Sequence, residues 1–198
     1  MPPLQNTFNE YMASAFPGQW YDISDTEAYG RTVEGSSIPF GVAVVSGTND
    51  NQVRLPDHGG YLESIDPEIL ATDPAENRFL GITMYHAPNA RGSDSAPLAK
   101  PIGDGDKGYL AVTETASVAT AGRGYVIPET DVKKGDPVFF RHTLTDAAAV
   151  PQTECLGMLR NDDDGGNATQ ILGARFATSS LAGELTVVQL SGAAEAAP

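Results

Sequence analysis

Glycine and proline interrupt this chain so evenly that, with 21 glycines and 14 prolines, no stretch free of both exceeds 13 residues. Glycine weakens a helix interior and proline blocks one, so a chain punctuated at this interval has room for strands and little for helices. Short apolar runs lie between the breaks: Ile38 to Val45, Phe79 to Tyr85, Tyr109 to Val118, Gly124 to Ile127, Val138 to His142, Ile171 to Phe176 and Leu185 to Leu190. Many short strands bounded by turn residues predict an all-β fold, a single jelly-roll, β-sandwich or small-barrel domain with long loops.

The period agrees. Ile38, Phe40, Val42 and Val44 fall on one face of a strand, and so do Leu110, Val112, Ala116 and Val118, with Glu114 as the exception. Turn chemistry fills the gaps: Gly47-Thr48-Asn49-Asp50-Asn51, Lys134-Gly135-Asp136-Pro137 and Asp162-Asp163-Asp164-Gly165-Gly166-Asn167 each separate strand-like runs. Gly41 lets another chain approach a strand closely.

Two regions depart from this pattern. In residues 1–16, Leu4, Phe8, Tyr11, Met12 and Ala15 make one apolar stripe if the segment is helical. Pro17-Gly18 separates it from Trp20-Tyr21, so the chain opens on an extended or short-helical arm rich in aromatics, which docks either on its own body or on a neighbour. Residues 86–107, rich in Gly, Pro, Ser, Asn and Asp, form a long irregular loop of the kind that is functional or disordered. The expected organisation is an N-terminal arm and lead-in over 1–36, a β-rich domain over 37–190 carrying that loop, and a flexible C-terminal tail over 191–198.

A chain of 198 residues is long enough to bury one core without a disulfide or metal. Its formal charge of −14, from 26 acidic against 12 basic residues, removes the attraction to phosphate on which non-specific nucleic-acid binding depends. No direct nucleic-acid partner is expected. The lone Cys155, beside Leu156, reads as a small buried hydrophobe and has no intramolecular partner. The N-terminus has no positive n-region or apolar h-region, and no apolar run approaches the roughly 18 residues of a membrane span. A soluble protein made in the cytoplasm is expected, for which the sequon Asn167-Ala168-Thr169 is a chance match.

Candidate chemistry is thin. Gly103-Asp104-Gly105-Asp106-Lys107-Gly108 has dinucleotide-loop spacing, but a loop leads in and a strand leads out, the reverse of the strand-loop-helix order that a pyrophosphate site needs. The Asp162-Asp163-Asp164 cluster lacks the alternating ligands, glycine and distal glutamate of a calcium loop, and reads as a solvated turn. His58, His86 and His142 are far apart and belong to no ligand or triad motif. No catalytic residue, cofactor site or metal site is assigned, and the chain is read as a non-enzyme.

The order of the strand segments is the more informative feature. Ala15-Phe16-Pro17-Gly18, then Ile38-Pro39-Phe40-Gly41-Val42-Ala43-Val44-Val45 with Gln52-Val53-Arg54-Leu55-Pro56, then Phe79-Leu80-Gly81-Ile82-Thr83 follow in sequence. Next come Ala116-Ser117-Val118, Gly122-Arg123-Gly124-Tyr125-Val126, Lys134-Gly135-Asp136-Pro137-Val138 and Gly173-Ala174-Arg175-Phe176 ahead of Leu185 to Leu190. Over residues 14–190 this order resembles the phage structural cement protein family. The resemblance implies a capsid cement or decoration protein of the virion. Such a protein sits on the outer shell surface, made in the bacterial host cytoplasm, and bridges major capsid protein subunits as a small symmetric oligomer, a homotrimer by preference or a homodimer.

For anchors to the capsid or to another subunit, the aromatic and Met residues of the arm are the candidates: Phe8, Tyr11, Met12, Phe16, Trp20 and Tyr21. The alternative is that they close one end of the β-domain. Two other functions compete with the cement role. A carbohydrate- or ligand-binding β-sandwich would cluster exposed aromatics on one face, and an enzyme would converge a pocket on His58, His86 or His142.

Overall fold

The computed structural model describes residues 15–22, 25–56, 79–85, 109–110, 114–144 and 156–196. The described residues form strands and no helix. In chain order the strands are β1 (Glu27–Val33), β2 (Ile38–Pro39), β3 (Ala43–Ser46), β4 (Gln52–Arg54), β5 (Phe79–Met84) and β6 (Tyr109–Leu110). They are followed by β7 (Thr115–Val126), β8 (Pro137–Arg141), β9 (Leu159–Arg160), β10 (Ala168–Phe176) and β11 (Thr186–Ala196).

Nine strands pair in the order β1-β4-β3-β5-β7-β11-β10-β8-β9, and β1 also pairs with β7. That extra ladder closes β1, β4, β3, β5 and the first half of β7 into a small barrel. The 12 residues of β7 then continue into a second sheet, where Gly122 to Val126 pair antiparallel with β11. Gly122, at φ 113°, lies where the strand passes from one sheet to the other, and a side chain there would press on the Trp20 ring and Thr26. Strands β2 and β6 form a separate two-stranded ladder.

Alternation along β3 distributes side chains to two cores. Val42 and Val44 join Val33, Ile38, Phe40, Val53, Ala116 and Val118 in the barrel interior. Ala43 and Val45 point the other way, into a larger cluster with Phe79, Ile82, Met84, Val138, Phe140, Ile171, Phe176, Val188 and Leu190. This second cluster takes residues from both sheets, so it is the filling of a sandwich. Phe79 and Phe140 stack within it at 5.8 Å. A strand buried on both faces reads as a continuous apolar run, which is why Val42-Ala43-Val44-Val45 lacks polar interruption.

The one-face expectation holds for Ile38, Phe40, Val42 and Val44, which all enter the barrel core, although a turn at Phe40-Gly41 divides the run into β2 and β3. Gly41 sits at φ 78°, and a Cβ there would meet Gly18 N and Pro17 Cβ at 2.9 Å. A close approach is present, but it is made by the chain's own Pro17-Gly18 and not by another chain. Two boundaries differ from expectation. The lead-in supplies β1, and β11 runs to Ala196, pairing Glu195 with Leu172 and Ala196 with Ile171, so most of the segment read as a tail is strand.

Candidate functional site

Gly18 to Tyr21, and then Glu27 to Val33, run beside β7. Gly18 N donates to Tyr125 O, Tyr125 N to Gln19 O and Tyr21 N to Arg123 O. After Asp25, at φ 54°, β1 continues the course, pairing Glu27 with Ala121 through to Thr32 with Thr115. Tyr85 N donates to Gly18 O and so ties the same segment to the end of β5.

This course decides where three of the six expected anchors go. Phe16 packs edge-on against Tyr85 at 4.5 Å, and Tyr85 in turn meets Phe40 at 5.6 Å. Trp20 bridges to Gly124 and packs on the sandwich core. Tyr21 is 49% exposed, with its ring edge-on to Tyr125 at 5.6 Å. Phe16 and Trp20 therefore dock on their own body, and Tyr21 faces outward. Phe8, Tyr11 and Met12 lie outside the described residues, as do the 86–107 loop, the Gly103 to Gly108 motif, His58, His86 and Cys155.

Beside Tyr21 a shallow hollow of about 300 Å³ is lined by Asp22, Asp25, Gly122, Arg123, Gln189 and Leu190. Arg123 Nη1 lies 3.6 Å from Asp22 Oδ2 across it. The hollow offers charged rims but no nucleophile beside a base. Among the described residues no group of three His, Cys, Asp or Glu side chains has metal-binding geometry. His142 sits with Nδ1 3.0 Å from Thr143 Oγ1 and its ring against Phe140.

The acidic cluster is more than the solvated turn read from sequence. Arg141 Nε donates to both Glu129 oxygens at 2.8 Å, and its Nη1 lies 2.9 Å from Asp164 Oδ2. Arg160 Nε donates to Asp162 Oδ1 at 2.6 Å, and its Nη1 lies 3.0 Å from Asp164 and 3.3 Å from Glu129. The Arg141, Glu129 and Arg160 side chains are only 2%, 5% and 7% exposed. Two buried guanidinium groups would be costly alone, and the three carboxylates compensate them. Reading by motif missed Arg141, Arg160 and Glu129 because they are far apart in sequence; only the β8–β9 ladder brings the arginines together. The one available signal was an arginine closing each apolar run, Val138-Phe139-Phe140-Arg141 and Met158-Leu159-Arg160. The network braces the 162–167 turn against the sheet edge, a structural role.

Comparison with known proteins gives a family match and similar solved structures. A family model described as "Structural cement protein (E217 gp24/Pam3 gp6)" matches residues 4–191. A chain of the solved structure "The capsid of Myoviridae Phage XM1" has a similar fold, with TM-score 0.56 and 15% identity over 96% of this chain and 98% of that one. A chain of "The crystal structure of head fiber gp8.5 N base in bacteriophage phi29" is more remote, with TM-score 0.37 and 10% identity over 84% of this chain and 95% of that one. No curated protein matches.

Proposed function

The chain belongs to the phage structural cement protein family, and from that premise we propose that it binds the outer surface of an icosahedral shell and bridges neighbouring major capsid protein subunits. A capsid cement role follows from the family, and with it a place in the virion in association with the shell. The match over residues 4–191 is the observation that carries the reading. The outer position, the bridging geometry and the absence of enzymatic activity are the proposed part.

Cementing needs binding energy and no chemistry. A protein that binds the mature lattice and not its precursor stabilises the mature state by about 2.7 kcal/mol per site at a free concentration one hundred times Kd. Repeated over the shell, modest affinity becomes large. A braced body suits this work, because little of the binding energy is then spent on ordering. Phe8, Tyr11, Met12 and Tyr21 are the proposed anchors, and Phe16 and Trp20 hold the base from which the arm departs. The carbohydrate-binding alternative calls for exposed aromatics gathered on one face. Among the described residues the exposed aromatics are Tyr21 and Tyr29. They lie opposite Arg123 and Val118 of β7, roughly 16 Å apart along the strand.

Co-sedimentation of the purified protein with its mature capsid and with unexpanded procapsid tests the reading. Saturable binding to the mature shell, with a raised disruption temperature, is expected. Failure to bind either particle would overturn it.

A further inference from the structure

Strand β1 is exposed on both faces from Glu27 to Gly30, with Tyr29 51% exposed. Its hydrogen bonds show which way each residue turns. Val33 N donates to Glu114 O on the β7 side, whereas Thr32 N donates to Asn51 O and Glu34 N to Val53 O on the β4 side. Successive strand residues direct their backbone groups to opposite flanks. Ala28 and Gly30 therefore share the flank of Thr32 and turn their N–H and C=O away from β7. Strand β4 reaches β1 only at Thr32 and Val33, and among the described residues no strand pairs with this flank over 27–31.

We propose that this free edge is a self-association site, pairing antiparallel with the same edge of a second copy about a two-fold axis through Tyr29. In that register Ala28 of one copy faces Gly30 of the other, twice, and both residues have outward backbone groups to exchange. Glu27 faces Arg31 of the other copy, also twice, and Tyr29 faces Tyr29. The charged and aromatic pairs fall at non-hydrogen-bonded positions, where side chains come closest.

Shifting the register by one residue pairs an outward backbone group with an inward one, and shifting it by two, which moves the axis to Ala28 or Gly30, separates Glu27 from Arg31. The pairing also fits its bounds: β4 closes one end at Thr32, and the turn at Asp25 closes the other. In the single chain Arg31 Nη1 donates to Gly30 O at 3.3 Å, and the guanidinium lies 5.8 Å from the Tyr29 ring centroid. A charged side chain thus shields the edge, a common protection against indiscriminate pairing, and an opposing Glu27 gives that charge a better partner. The contact is isologous, as a closed dimer requires. Being five residues long it is weak in solution and is strengthened where copies are held close together.

The test uses the purified full chain without capsids, so its outcome is independent of shell binding. Sedimentation velocity across a concentration series should show reversible dimers that weaken with salt. Glu27→Arg alone and Arg31→Glu alone should each weaken association about tenfold or more, because each places like charges opposite one another twice. Mixing the two variants should restore it, since both cross-strand pairs then become complementary. Tyr29→Cys in a Cys155→Ser background should form a disulfide dimer on mild oxidation. A wild type that stays monomeric, a mixture no better than its components, or a Tyr29→Cys variant that does not cross-link would each overturn the proposal.

Discussion

Gly81 sits where β5 runs against β7, and a methyl group there would overlap the Ala119 carbonyl oxygen and press on Val118 Cγ1. Gly30, also within a strand, has only the Thr115 methyl at 3.4 Å, an ordinary contact. Two glycines, each inside a strand, thus carry opposite constraints. Gly81→Ala should cost about 3 kcal/mol, the upper end of overpacking penalties, and lower the melting temperature by several degrees. Gly30→Ala should lie within about 0.5 kcal/mol of wild type, because an extended backbone accepts alanine and the unfolded chain loses entropy. Paired thermal melts decide it, and equal effects would remove close strand approach as the reason for Gly81.

At the scale of elements, barrel closure rests on a short contact. Strands β1 and β4 pair in parallel through Thr32–Gln52 and Val33–Val53 alone. Glu34 reinforces it, accepting from Thr48 Oγ1 at 2.6 Å and Thr48 N at 2.8 Å, which pins the β3–β4 turn to the end of β1. The Thr48 hydroxyl first, and its backbone N–H second, hold the Glu34 carboxyl below its ordinary range. Asp136 is lowered likewise, by Asn161 Nδ2 and then by Lys133 N, at the turn into β8. A carboxyl lowered by folding adds stability above its unfolded pKa and loses it as pH falls through the folded one. Glu34→Gln should therefore be less stable than wild type at pH 7, with a gap that shrinks below about pH 5. Urea midpoints across that range measure it; a gap constant with pH would separate Glu34 from barrel closure.

For the whole molecule, the Phe16–Tyr21 segment is part of the body. Phe16 and Trp20 contribute to the packing, and Gly18 hydrogen-bonds to Tyr85, just past β5, and to Tyr125 of β7. Deleting residues 2–14 should therefore leave the melting temperature within a few degrees and weaken capsid binding at least tenfold. A deletion that also takes Phe16 to Trp20 should lower stability by about 3 kcal/mol or more through loss of the aromatic packing. Shell binding unchanged by the shorter deletion would remove the arm from the interface, and loss of folding would make the arm part of the core.

Spacing alone sufficed for the all-β class, for most of the long strands and for the shared face of Ile38, Phe40, Val42 and Val44, because turn residues and period-two alternation are local properties. The order of those segments also carried the family resemblance. Strand β1 was not legible: Glu27-Ala28-Tyr29-Gly30 is exposed on both faces and so has no alternation to read. Its pairing with β7, the division of β3 between two cores, and the Arg141–Glu129–Arg160 network join residues far apart along the chain. Only the tertiary structure decided these, since local sequence records which face of a strand is apolar and not which distant strand will cover it.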